Sequence, residues 1–206
     1  LCGKMKKGKS NMCKYLLLDG ALNQRIFNFG LVFTQTKYSG DYDFLPDQYI
    51  IKGYDENILR NYVKQLEKIK ESGITPPANF IVFDDLLGIL KQNNSFLLNF
   101  ITISRHLSCN IFLLTQYLNV GSSTTLRECC SHAIMFNSKN YNTLDSLYKN
   151  FGQLFSKFDD FKYNFLDITS KPYHACLYIQ DEDDVMKNYL ICKAPDMSDV
   201  DTKIEY

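Results

Sequence analysis

Between Asp55 and Ser72 the apolar residues Ile58, Leu59, Tyr62, Val63, Leu66 and Ile69 recur every three or four positions, with polar residues between them. That period predicts an amphipathic helix, capped by Asp55, closed by Gly73 and kept from continuing by Pro76 and Pro77. A different pattern flanks it. "FNFGLVFTQT" (27–36), "NFIVFDD" (79–85), "NIFLLTQ" (110–116) and "HAIMFN" (132–137) are short apolar runs without alternation, the signature of strands buried on both faces. "YIIKG" (49–53) suits a further short strand.

Helices are predicted from Ser10 through "SNMCKYLLLDGALN", from about Ser95 to Leu107, and over "YNTLDSLYKNFG" to near Gly152. "TLRECC" suits a helical turn or two. "KFDDFKYNFLDI" fits either a helix or a helix followed by a strand, and "YHACLYIQ" and "NYLICK" fit closing antiparallel strands. Strands alternating with helices imply an α/β domain with a mainly parallel central sheet flanked by helices.

Length and composition narrow this to one domain, residues 1–206, in which 157–206 form a closing helix and strand extension. Apolar residues make up 45% and charged residues 22%, a globular balance. The 23 basic and 23 acidic residues cancel, so nucleic acid would have to be met by a local patch. The seven cysteines show no metal-ligand spacing, and several lie in apolar runs, Cys129 and Cys130 being read as core thiols. An intracellular, reducing compartment is the expectation. The longest apolar runs are far shorter than the ~18 residues of a membrane span, so no membrane partner is expected.

The chemistry concentrates at "GKMKKGKSN". Gly3, Gly8, Lys9 and Ser10 fit G-x-x-x-x-G-K-[ST], in which backbone N–H groups wrap phosphates, the lysine reaches the β and γ phosphates and the hydroxyl ligates Mg²⁺. The nucleotide-binding set is Gly3, Lys4, Met5, Lys6, Lys7, Gly8, Lys9, Ser10 and Asn11, with the following helix turning its positive end to the same anion. Lys4, Lys6 and Lys7 could equally be a solvated basic loop. Such a loop follows a strand, of which only "LC" is present, and the chain lacks an initiator methionine. We therefore expect the carboxyl-terminal portion of a longer protein, its first strand truncated.

"FIVFDD" supplies the matching acids: Asp84 to hold Mg²⁺ and Asp85 to polarise an attacking water. Alone, paired acids after a strand could simply cap the next helix. An intervening strand separates loop and acids, which suits the P-loop division with an additional catalytic acid. There "IFLLT" would insert between the two motif strands and Gln116 would face the γ-phosphate as a sensor.

In order and spacing, "GKMKKGKS", "FIVFDD", "ISRHLSCNIFLLTQ" and "LRECCSHAIMF" resemble the FtsK-HerA superfamily. They are most similar to its poxvirus-type branch, the genome-packaging ATPases of large DNA viruses and virophages. The resemblance runs from Gly3 to about Asn137, and more weakly to "FLDITSKPYHACLYI". It implies a homo-oligomeric ring that hydrolyses ATP with Mg²⁺ to pump double-stranded DNA into a capsid, with capsid or portal-like vertex components as partners. The setting would be the host cytoplasm, a virus factory or the virion. It further implies an arginine that completes a neighbour's site, at Arg105 with Arg127 as second choice, so that the catalytic set becomes Asp85, Gln116, Arg105 and Arg127. The chain departs from the family at Lys4, Met5, Lys6 and Lys7, where small residues are usual, and at Asp85, where many relatives outside the viral branch have Glu.

Two other classes share parts of this pattern. A small-molecule or nucleoside kinase has the same loop, but the acid pair, Gln116 and the lack of an arginine-rich lid count against it. A non-catalytic nucleotide-binding interaction module would not need Lys9, Ser10, Asp84 and Asp85 together. "NVGSSTT" (119–125) is a candidate DNA-contacting loop or a plain connector, and "DEDD" (181–184) reads as a solvated turn. His106 reads as a packed or interfacial side chain.

Overall fold

A computed structural model of the chain describes residues 1–4, 6–24, 26–86, 95–116, 128–152, 154–180, 187–197 and 202–204. Four parallel strands form one sheet: β1 (Phe29–Thr34), β2 (Ile50–Lys52), β3 (Asn79–Asp84) and β4 (Cys109–Leu114), in the order β2-β1-β3-β4. Three antiparallel strands form a second: β5 (His132–Phe136), β6 (His174–Ile179) and β7 (Tyr189–Lys193), in the order β5-β6-β7. Cys2 joins them, bridging in parallel to Thr115 on one side and Met135 on the other. β4 therefore lies between the residue that leads into the glycine-rich loop and the strand that carries the acids, the insertion expected from the chain order.

Side-chain alternation explains the layers. Leu31, Phe33, Ile81 and Phe83 point to one face, where they meet Leu59, Val63 and Leu66 of α2 (Glu56–Glu71) and Leu97, Phe100 and Ile101 of α3 (Ser95–Ile103). Val32, Phe80, Val82 and Leu114 point to the other, against Cys13, Leu17 and Leu18 of α1 (Lys9–Leu18). Strands covered on both faces need no polar alternation, which is why their sequences read as unbroken apolar runs. The second sheet rests Ala133, Met135, Cys176 and Tyr178 on α4 (Tyr141–Phe151) and α5 (Phe158–Thr169). Its opposite face sets Phe136, Ala175 and Ala194 against Met12 of α1. α1 thus lies under the seam and is packed by both sheets.

Several local expectations are refined. Asp55 caps α2, its carboxylate accepting from the N–H groups of Asn57 and Ile58 at 2.8 and 3.2 Å. "KFDDFKYNFLDI" is helix throughout, since Phe161 and Phe165 must share a face to fill the core of the second sheet. The helix predicted to Leu107 tightens to a 3₁₀ turn over Ser104–Leu107. β3 ends at Asp84, because Asp85 turns out of the strand. Cys129 is exposed, not a core thiol, because it precedes β5 instead of lying in it, while Cys130 is half-buried and packs against the core of the second sheet. "NVGSSTT", "DEDD" and the first half of "TLRECC" lie outside the described residues.

Asn79 fixes the start of β3. It is fully buried, its Nδ2 donating to the carbonyls of Pro77, Leu107 and Ser108 at 2.9, 3.0 and 3.2 Å, while its Oδ1 accepts from the Tyr62 hydroxyl at 2.9 Å. Asn79→Ala leaves these groups short of partners and is expected to lower stability by ~2–4 kcal/mol. The check is a fall in the urea midpoint at unchanged slope.

Candidate active site

The parallel register Thr34↔Asp84↔Leu114 ends three strands level with one another. The segments that leave the carboxyl ends of these strands therefore gather at one edge of the sheet, where parallel strands commonly carry a site. The glycine-rich loop starts at the same edge: the Gly3 N–H donates to the Thr115 carbonyl at 3.0 Å.

The loop's glycines are required by space and by dihedral angle. A Cβ on Gly3 would lie 2.7 Å from the Phe136 Cβ, closer than real side chains approach. Gly8 stands at φ 105° as the residue before α1, and a Cβ there would meet the Ala194 Cβ at 2.9 Å. Lys6 is also left-handed, at φ 58°. Lys9 is 8% exposed and folds over the loop, its Nζ donating to the Gly3 carbonyl at 2.6 Å and the Lys4 carbonyl at 3.2 Å. Burial pushes its pKa down, while Asp85 and Asp84 oppose that shift. Lys4, Lys6 and Lys7 are exposed and Ser10 and Asn11 half-buried, Asn11 Nδ2 donating to the Pro195 carbonyl at 3.4 Å; Met5 lies outside the described residues.

The two acids differ. Asp84 is buried, and its Oδ2 accepts from the Tyr42 hydroxyl at 3.0 Å and from Thr34 Oγ1 at 3.4 Å. Desolvation raises its pKa from 3.8 to about 6, with the Asp85 charge adding to the rise and the Tyr42 hydrogen bond opposing it. Asp85 sits at φ 52°, a conformation costly for a non-glycine residue. Its N–H donates to the Leu114 carbonyl at 3.1 Å, and its Oδ2 accepts from Gln116 Nε2 at 2.9 Å. The other oxygen, Oδ1, is buried with no hydrogen-bond partner among the described residues. The structure thus brings together Lys9, Asp84, Asp85 and Gln116, four residues singled out in sequence.

It separates Arg105 from them. That residue lies in the turn before β4, at the opposite edge of the sheet, and is exposed with no salt bridge among the described residues. The six residues of β4 alone span ~20 Å, so Arg105 does not serve the acid pair of its own chain. His106 is exposed beside it, and Arg127 lies outside the described residues. Sequence reasoning missed Tyr42 and Thr34. Tyr42 stands 42 positions from Asp84 in a turn-rich connection, where no periodicity marks it.

The arrangement fits Mg²⁺. Among the described residues no group of three or more His, Cys, Asp or Glu forms a metal cage. One hydroxyl, Ser10, and one anchored carboxylate, Asp84, would offer Mg²⁺ the oxygen-only, incomplete donor set suited to a cation that retains waters and takes the rest of its ligands from phosphate.

The raised pKa of Asp84 has a stability consequence. The folded state binds a proton more tightly than the unfolded chain, so the contribution is full below pH 3.8 and lost as pH rises through about 6. Without divalent metal, Asp84→Asn should be more stable than wild type at pH 7, by up to ~3 kcal/mol. The advantage should fade below pH 4, as read from urea unfolding across that range.

No protein-family model matches the chain. Its sequence is 26% identical to the uncharacterized protein 075L of Invertebrate iridescent virus 6, over 98% of this chain and 78% of that protein. Its structure is similar to the genome-packaging NTPase B204 of Sulfolobus turreted icosahedral virus 2 in complex with ATP-gammaS (TM-score 0.63, 17% identity, 94% of each chain). B204 of Sulfolobus turreted icosahedral virus, a DNA-packaging ATPase, is similar at TM-score 0.64 and 15% identity, over 95% of this chain and 96% of that one. The type VII secretion ATPase EccC of Thermomonospora curvata matches at TM-score 0.66 and 20% identity, over 98% of this chain and 26% of that one. The chain therefore shares the fold of these solved structures, a parallel sheet flanked by helices with an antiparallel sheet towards the carboxyl end, as the motifs implied.

Proposed function

We propose that the chain is an ATPase that drives double-stranded DNA into a capsid, working as a ring of identical subunits. The observation that carries hydrolysis is Asp85, with one oxygen held by Gln116 and the other buried and without a partner among the described residues. A carboxylate anchored in this way can take a hydrogen bond from a water aimed at the γ-phosphate, with Gln116 reporting on that phosphate through the same contact. Gly3, Lys4, Lys6, Lys7, Gly8, Lys9, Ser10 and Asn11 would receive the triphosphate, Lys9 exchanging its hold on the loop carbonyls for the β and γ phosphates. Ser10 and Asp84 would hold Mg²⁺, which when bound neutralises charge on those phosphates.

The ring rests on Arg105. Exposed, and on the far edge from its own acids, it suits insertion into a neighbour's site, where an arginine stabilises the charge of phosphoryl transfer. Arg127 is the second choice. The packaging step draws its support from the fold shared with B204, and from the likeness to an uncharacterized protein of Invertebrate iridescent virus 6. The DNA path would include 119–125, and capsid or portal-like vertex components would receive the ring in the host cytoplasm, a virus factory or the virion.

ATP turnover with and without double-stranded DNA tests this reading. Wild type should be stimulated by DNA, and Lys9→Ala should be inactive. Arg105→Ala should fall by ~10³-fold or more, and recover on mixing with Lys9→Ala subunits, which retain Arg105. Turnover indifferent to DNA would overturn the translocase and favour the kinase class; no nucleotide binding would leave an interaction module. Asp85→Asn should separate the two steps, losing turnover by ~10²-fold or more while keeping nucleotide affinity.

A further inference from the structure

A pocket of about 210 Å³ opens beside the phosphate loop, lined by Lys6 and Lys7 of that loop, by Asn137 after β5, and by Thr169–His174 between α5 and β6. It is smaller than the ~300–1,000 Å³ of a whole small-ligand site. That is the size of a subsite for one part of a ligand whose other part lies on the loop. Resting on the nucleotide reading above, we propose that this pocket is the base subsite, that it takes adenine, and that Tyr173 is the platform on which the base stacks.

Tyr173 is held for such a role. Its backbone stands at φ 63°, rare for a bulky side chain, and its carbonyl accepts from the Ala194 N–H at 2.9 Å. The ring lies against the loop, since a Cβ on Gly8 would come within 3.3 Å of its Cδ1. Yet the residue is 50% exposed, so an aromatic face is kept in solvent next to a phosphate site at a cost in backbone strain. Base stacking on an aromatic ring would use that face.

The neighbouring polar groups favour an amino-bearing base edge. Asn137 Nδ2 already donates to the Thr169 carbonyl at 3.0 Å and to Thr169 Oγ1 at 3.1 Å, which leaves its Oδ1 as the amide's remaining group. His174 Nδ1 lies 3.0 Å from the Pro172 carbonyl. It can only donate to that oxygen, so in the neutral ring Nε2 is an acceptor. Two acceptors match the exocyclic amino group of adenine and oppose the carbonyl that guanine carries in its place. Lys6, Lys7 and Lys171 bring positive charge to the same walls, matching the phosphates to which the base is tethered.

Calorimetric titration of the full chain with ADP, GDP and inorganic tripolyphosphate, each with Mg²⁺, tests the assignment. Wild type should bind ADP at least tenfold more tightly than GDP. Tyr173→Ala should weaken ADP about tenfold and leave tripolyphosphate unchanged, which also reports that the loop remains folded; Tyr173→Phe should keep wild-type affinity for ADP. Unchanged ADP affinity in Tyr173→Ala would overturn the stacking platform, and equal affinity for ADP and GDP would overturn the choice of adenine. Tripolyphosphate binding without any gain from the base would remove the subsite while sparing the phosphate loop. A wild-type chain that binds neither ADP nor tripolyphosphate would remove both.

Discussion

The site depends on one residue's worth of sheet. Cys2 is threaded between β4 and β5, its N–H donating to the Ile134 carbonyl at 2.8 Å and its carbonyl accepting from Phe136 N–H at 2.8 Å, while the flanking Leu1 and Gly3 pair with Thr115. These main-chain bonds turn two small sheets into one continuous surface and set where the glycine-rich loop departs. Because β3 and β4 are in register with that departure point, the acids and Gln116 face the loop without any long-range side-chain contact having to pull them there. α1, buried against both sheets, then holds the loop's far end.

Residues gathered by the backbone then act on one another's charge. Lys9 and Asp84 are buried close to Asp85, where burial works against the charge on each of the two and their opposite signs partly offset that cost. Tyr42 and Thr34 orient Asp84 from β1 and the connection that follows it, and Gln116, just beyond β4, orients Asp85. The result is a lysine tied to loop carbonyls and two carboxylates in different environments.

Strain is concentrated in the same region. Of the described non-glycine residues with positive φ, Lys6 is in the loop, Asp85 is the second acid and Tyr173 lines the adjoining pocket; Ser108 alone lies at the other edge of the sheet. Each such residue costs of order 1–3 kcal/mol and persists because packing around it leaves no alternative. The fold shared with B204 thus comes with local departures from relaxed backbone in the glycine-rich loop, at the second acid and beside the adjoining pocket.

The strands, α2 with its Asp55 cap, and the loop with its acids were legible in the sequence because they rest on local rules: period, capping chemistry and the spacing of glycines. Those rules act over a few residues and survive in one dimension. Other features were not legible. Tyr42 reaches Asp84 across 42 positions, Tyr173 reaches the loop from the other end of the chain, and α1 owes its burial to two sheets at once, which erases a simple amphipathic stripe. Only the folded chain decides these, since a hydrogen bond or ring contact between distant segments depends on where the sheet order and the seam at Cys2 set them, and neither is written in any local stretch of residues.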